Sequence, residues 1–139
     1  MTSFQAYGIQ QGRVFAEQCD ALLVSRGFTL DGALLVAEVG VEIDRVAIAP
    51  SGALVWFEYK GSVQGSRPGL MRTDTLKKAV ANGALLQRLI ERPPYIVLTS
   101  HLPSSGAGLA MLETAIELQY FDDVICVYDP SQAGRLAEL

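Results

Sequence analysis

The apolar positions change period several times along the chain. Val14, Phe15, Gln18, Cys19, Leu22 and Leu23 fall near helical spacing, which predicts a helix over residues 12–26 with Gly27 as its stop. Residues 33–38 (ALLVAE) read as a strand. The runs 41–48 (VEIDRVAI) and 53–60 (ALVWFEYK) flank a Pro-Ser-Gly turn and form the clearest hairpin. Residues 61–71 lack periodicity and are rich in Gly, Ser and Pro. A helix is predicted over residues 73–91, with Thr73 as N-cap and Leu76, Ala79, Val80, Gly83, Leu86 and Ile90 as its apolar stripe, ended by Pro93 and Pro94. Residues 95–100 (YIVLTS) make an interior strand, 107–120 a helix and 123–128 a last strand. This order predicts an α/β fold, a mixed central sheet flanked by helices, in one domain over residues 1–139.

Composition narrows the class. Half of the 139 residues are hydrophobic and 19% are charged, which argues against disorder. No apolar run is long enough for a membrane helix, and residues 1–13 lack the pattern of a signal peptide, so the expectation is a cytoplasmic protein, or one of the host cytoplasm if viral. Cys19 and Cys126 read as reduced core residues, and a single His101 with two cysteines argues against most zinc sites. The net charge of −4 is unevenly spread. Residues 60–92 carry seven basic and two acidic side chains, whereas the segments before and after them are acidic. A polyanion has one basic segment to meet.

The hairpin holds the candidate chemistry. Pro50 suits the first corner of the turn and Gly52 its left-handed close, which sets Ala49 opposite Ala53. That register places Asp44 opposite Glu58 and Glu42 opposite Lys60, all on one face. Two carboxylates across a ladder lie about 5 Å apart and repel by about 3 kcal/mol at an effective dielectric near 20. Either a cation bridges them or water screens them. Paired carboxylates are hard oxygen ligands suited to Mg²⁺ or Mn²⁺, and Lys60 on the same face could orient a water or neutralise charge building on a phosphate. A solvated ion-pair patch accounts for the same four residues.

Asp44, followed after thirteen residues by Glu58-Tyr59-Lys60, resembles the motif of the PD-(D/E)XK nuclease superfamily. Residues 12–100 resemble its restriction-endonuclease-like αβββαβ core, leaving an extra C-terminal α-β. Ile43 stands where many members have proline. Glu17 matches the helical glutamate that joins the metal site in many members. Together with Gly27-Phe28 and Glu42-Ile43-Asp44 it gives a layout similar to small Holliday-junction resolvases. Residues 67–86 resemble the basic helix that follows the motif in some restriction endonucleases. The resemblance implies a Mg²⁺-dependent (or Mn²⁺-dependent) endonuclease that hydrolyses phosphodiester bonds in DNA and leaves a 5′ phosphate. It assigns Asp44, Glu58 and Lys60 to catalysis, and Glu17, Asp44 and Glu58 to the metal. A homodimer is expected for cutting both strands, as is work beside other subunits of a nuclease complex.

Arg67, Arg72, Lys77 and Lys78 are the candidate DNA-phosphate contacts, with Gln64, Ser66 and Asn82 as further polar contacts. Residues 104–109 (SSGAGL) read as an ordinary loop and helix start, Trp56 as a packing residue, and His101 has no assigned role. Residues 101–139 carry no recognised motif. The alternative function is an inactive DNA-binding or assembly module that keeps the nuclease-like fold.

Overall fold

The computed structural model describes the backbone of residues 3–62 and 68–139, and the side chains in those ranges from Ile9 onward. Helix α1 (Ser3–Ser25) starts well before the expected position and buries Phe15, Cys19 and Leu23, a stripe at four-residue spacing. It stops where expected. Gly27 takes φ +88°, and the Phe28 N–H donates back to the Leu23 carbonyl at 3.0 Å.

Strands β1 (Thr29–Leu30), β4 (Arg45–Ile48), β5 (Leu54–Lys60), β6 (Tyr95–Thr99) and β7 (Asp123–Cys126) form one mixed sheet in the order β1-β4-β5-β6-β7. The first two pairings are antiparallel and the last two parallel. The hairpin register is the predicted one. The Ala49 N–H donates to Ala53 O at 2.8 Å, Gly52 sits at φ +90°, and Arg45 stands opposite Phe57.

The run 41–48 is not one strand, which corrects part of the predicted face. It divides at Asp44 into β3 (Val41–Ile43), which pairs with β2 (Leu34–Val36) in a separate two-stranded ribbon, and β4. The alternation slips by one residue at the break. Val41 and Ile43 pack in the same core as Val46, while Ala47 and Ala49 face the other way. Glu42 therefore lies exposed opposite Leu35 and is not a neighbour of Lys60.

Two cores sandwich the five-stranded sheet. Val55 and Phe57 of β5, with Ile96 and Leu98 of β6, pack against α1 and the C-terminal Leu136. Trp56, Tyr95 and Val97 on the other face pack against helices α2 (Thr73–Leu86) and α3 (Gly106–Glu117) and the β2-β3 ribbon. Helix α2 ends five residues earlier than expected. The N–H groups of Gln87, Arg88 and Leu89 turn to carbonyls three residues back, which tightens the chain and throws Ile90 off the stripe to 101% exposure. Arg72, not Thr73, is the N-cap, with no side-chain hydrogen bond. Helix α3 and β7 account for the expected C-terminal α-β, each shorter at its end than predicted. A short helix α4 (Pro130–Ala133), capped by Asp129, was not expected. Among the described residues no helix is long and apolar enough to cross a membrane.

Candidate functional site

Glu58 and Lys60 lie two residues apart on β5, so they share the face that carries Trp56. Trp56 packs in the core, as expected. Glu58 is only 2% exposed, because apolar neighbours on this face and the helices above it shut out water. Its Oε1 lies 3.1 Å from Lys60 Nζ, whose side chain is 20% exposed. Its Oε2 accepts a hydrogen bond of 3.0 Å from the Tyr95 hydroxyl.

Asp44 sits at the point where β3 and β4 part. The ladder between β4 and β5 ends at Arg45–Phe57, which leaves the next β5 amide without a backbone acceptor across the gap. Asp44 Oδ2 takes that role, accepting the Tyr59 N–H at 2.8 Å. Its negative charge is close enough to act on Glu58. Burial, then the charge of Asp44, push the Glu58 carboxyl up to about 7, against the opposing pull of Lys60 and Tyr95. Burial and Glu58 in turn push the Tyr95 hydroxyl well above its ordinary range, offset in part by the Asn82 side chain beside it.

The raised Glu58 carboxyl makes stability depend on pH. The folded chain favours the neutral acid, so this contribution is complete below pH 4.5 and lost as pH rises to about 7. At about 1.4 kcal/mol per pKa unit it amounts to roughly 3 kcal/mol. Urea unfolding at pH 5 and pH 8 should show that loss in the wild type and a much flatter profile in Glu58→Gln. Equal slopes in the two proteins would contradict the assignment.

No protein-family model, curated protein or solved structure matches the chain. The site is therefore read from its own geometry. Glu58 and Lys60 pair directly, whereas Asp44 lies at the strand break, bonded to the Tyr59 N–H, and reaches Glu58 through its charge. Glu17 does not join them: it is exposed on α1, whose buried stripe packs on the opposite face of the sheet. Among the described residues no group of three or more His, Cys, Asp or Glu side chains could hold a metal ion. Two carboxylates do suit Mg²⁺ or Mn²⁺, which fill their remaining positions with water and phosphate oxygens.

Arg72, Lys77 and Lys78 are exposed at and beyond the N-terminus of α2, and none makes an ion pair among the described residues. Arg67, Gln64 and Ser66 lie outside the described residues. Asn82 is half-buried and turned to Tyr95. His101 is half-buried, edge-on to the Tyr128 ring at 6.1 Å. Residues 104–109 are a loop and helix start, and Ser105 caps α3 with no side-chain bond. Both cysteines are free, Cys19 wholly buried and Cys126 half-buried, its thiol 3.3 Å from Ser100 O.

Three supports were missed by sequence reasoning. Tyr95 stands ahead of the aliphatic Ile96, Val97 and Leu98 in β6, and its hydroxyl was its only signal. Asp20 on α1 binds Arg45 through both carboxylate oxygens (2.7 and 3.0 Å) and accepts the Tyr59 hydroxyl at 2.6 Å. It thereby fixes, from behind the sheet, the residues adjoining Asp44, Glu58 and Lys60. Thr99 donates to the Lys60 carbonyl at 2.7 Å and accepts the Leu70 N–H at 3.3 Å, joining the end of β5 to the return of the loop.

Proposed function

We propose that the chain is a metal-dependent endonuclease that hydrolyses phosphodiester bonds in DNA, on the restriction-endonuclease-like plan of the PD-(D/E)XK superfamily. The observation that carries this reading is a buried carboxylate, Glu58, with an ammonium 3.1 Å away and the charge of Asp44 acting on it. Burying a carboxylate is costly, and Lys60 and Tyr95 offset part of that cost here. Asp44 and Glu58 would hold Mg²⁺ or Mn²⁺. The bound ion would supply a Lewis acid for the phosphodiester and lower the pKa of a coordinated water. Lys60 holds a proton donor at the site, able to orient that water and offset negative charge on the phosphate. Arg72, Lys77 and Lys78, with Arg67, would hold DNA phosphates without reading sequence. A homodimer in the cytoplasm, acting alone or in a nuclease complex, is part of the same reading.

The purified chain should nick and linearise plasmid DNA with Mg²⁺ or Mn²⁺ and stop on addition of EDTA. A linear duplex, a flap and a four-way junction offered in parallel would separate restriction-like from structure-selective cleavage. No cleavage of any substrate with either metal would end the proposal.

One observation favours a second reading, a module that binds DNA or assembles without turnover. Both oxygens of Glu58 already have partners, Lys60 and Tyr95. On that reading DNA affinity is the same in EDTA and in Asp44→Ala.

A further inference from the structure

We propose that Tyr95, braced by Asn82, is a positioning residue that fixes the Glu58 carboxylate for a divalent cation shared with Asp44. The inference rests on the reading of this site as a cation site.

The end of a glutamate side chain turns easily, because its last torsion has a broad two-fold preference. A carboxylate held only by Lys60 would be free to exchange its oxygens or swing toward the ammonium. Tyr95 removes that freedom. It is level with Trp56 in the parallel register, whereas Glu58 is level with Val97. Its ring therefore runs along the sheet face past one residue pair, about 6–7 Å at strand rise, to bring its hydroxyl 3.0 Å from Oε2. The ring has little room to shift. It is wholly buried, 6.2 Å from the centre of Phe121, and the Arg92 guanidinium lies 6.0 Å from its own centre. Asn82, half-buried on α2, acts on the same hydroxyl, favouring its charged form.

Packing alone does not call for the hydroxyl. Phenylalanine would fill the same space, and the next three residues of the strand are Ile96, Val97 and Leu98. The hydroxyl occupies Oε2, leaves Oε1 turned to Lys60, and limits the orientations open to the carboxylate. Preorganising a ligand in this way typically changes metal affinity or activity 10–100-fold.

The test is Mn²⁺ affinity of the full-length chain, read from the paramagnetic resonance of free Mn²⁺, together with kcat and KM on DNA. Wild type, Tyr95→Phe, Asn82→Ala and Glu58→Gln are compared, with melting temperatures as folding controls. Tyr95→Phe should weaken Mn²⁺ about tenfold and lower kcat, with KM for DNA within about twofold. Asn82→Ala should do the same to a smaller degree, and the double variant should lose less than the product of the two. A folded Tyr95→Phe with wild-type Mn²⁺ affinity, beside a Glu58→Gln that has lost it, would overturn the positioning role and leave the cation site standing. Should Tyr95→Phe not fold, wild-type affinity in Asn82→Ala overturns it instead. A wild-type chain that binds no Mn²⁺ fails the functional reading, and this proposal falls with it.

Discussion

If the chain is the proposed nuclease, Asp44→Asn and Lys60→Met are each expected to reduce Mg²⁺-dependent DNA cleavage by about 10²–10⁴-fold, the range for loss of a group that handles charge or protons in the transition state. The substitutions are chosen to leave the sheet intact. Asparagine keeps an oxygen where Asp44 Oδ2 accepts the Tyr59 N–H, so the parting of β3 and β4 is still bridged. What it loses is the charge. Methionine keeps the aliphatic stem of Lys60 and removes the ammonium 3.1 Å from Glu58. Without that cation Glu58 has Asp44 as its dominant electrostatic neighbour, and its tendency to stay protonated increases. The two variants therefore fail for different reasons. Asp44→Asn should have weaker metal binding that more Mg²⁺ restores in part, whereas added metal should not rescue Lys60→Met. Cleavage by quantified, folded samples of both at wild-type rates would remove these residues from the chemistry.

Gly69→Ala is expected to cost about 2–5 kcal/mol of folding stability. Gly69 sits at φ +61° in the 3-10 turn over Gly69–Met71, where a side chain costs roughly 1–2 kcal/mol. A Cβ there would also come within 2.7 Å of Ser100 Oγ and Thr99 Oγ1 and 2.8 Å of the His101 backbone nitrogen. Overpacking of that kind typically costs a further 1–3 kcal/mol. Because Thr99 holds the Lys60 carbonyl, relief of the clash displaces the end of β5, and cleavage should fall along with stability. Urea unfolding of Gly69→Ala against wild type measures the effect. A change below about 0.5 kcal/mol, the range of an unremarkable surface substitution, would show that the turn is not constrained as described.

The features that carry the site were readable to different degrees. The register of β4 on β5 follows from a local turn, Pro50 to Gly52, whose chemistry is explicit in the residues, so it could be read as far as Arg45 opposite Phe57 without tertiary information. Extending the same face to Glu42 failed because it assumed unbroken alternation. The sign of the slip was present: Asp44-Arg45 places two polar residues together in a run that alternates up to that point. It marks where Val41 and Ile43 leave for a ribbon of their own. The early end of α2 was hidden because Ile90 fits the helical stripe by spacing, and only the tightened turn at residues 87–89 takes it out. The roles of Tyr95 and Asp20 were out of reach for another reason. Tyr95 acts on a residue 37 positions away and Asp20 on residues 25 and 39 positions away, and no local pattern encodes a contact of that span.

Crystals of the chain soaked in Mn²⁺ test the central claim most directly. The account predicts an anomalous peak between Asp44 and Glu58, with Lys60 beside it. Crystals that diffract well and show no Mn²⁺ there, or Mn²⁺ bound only at other carboxylates, would contradict it.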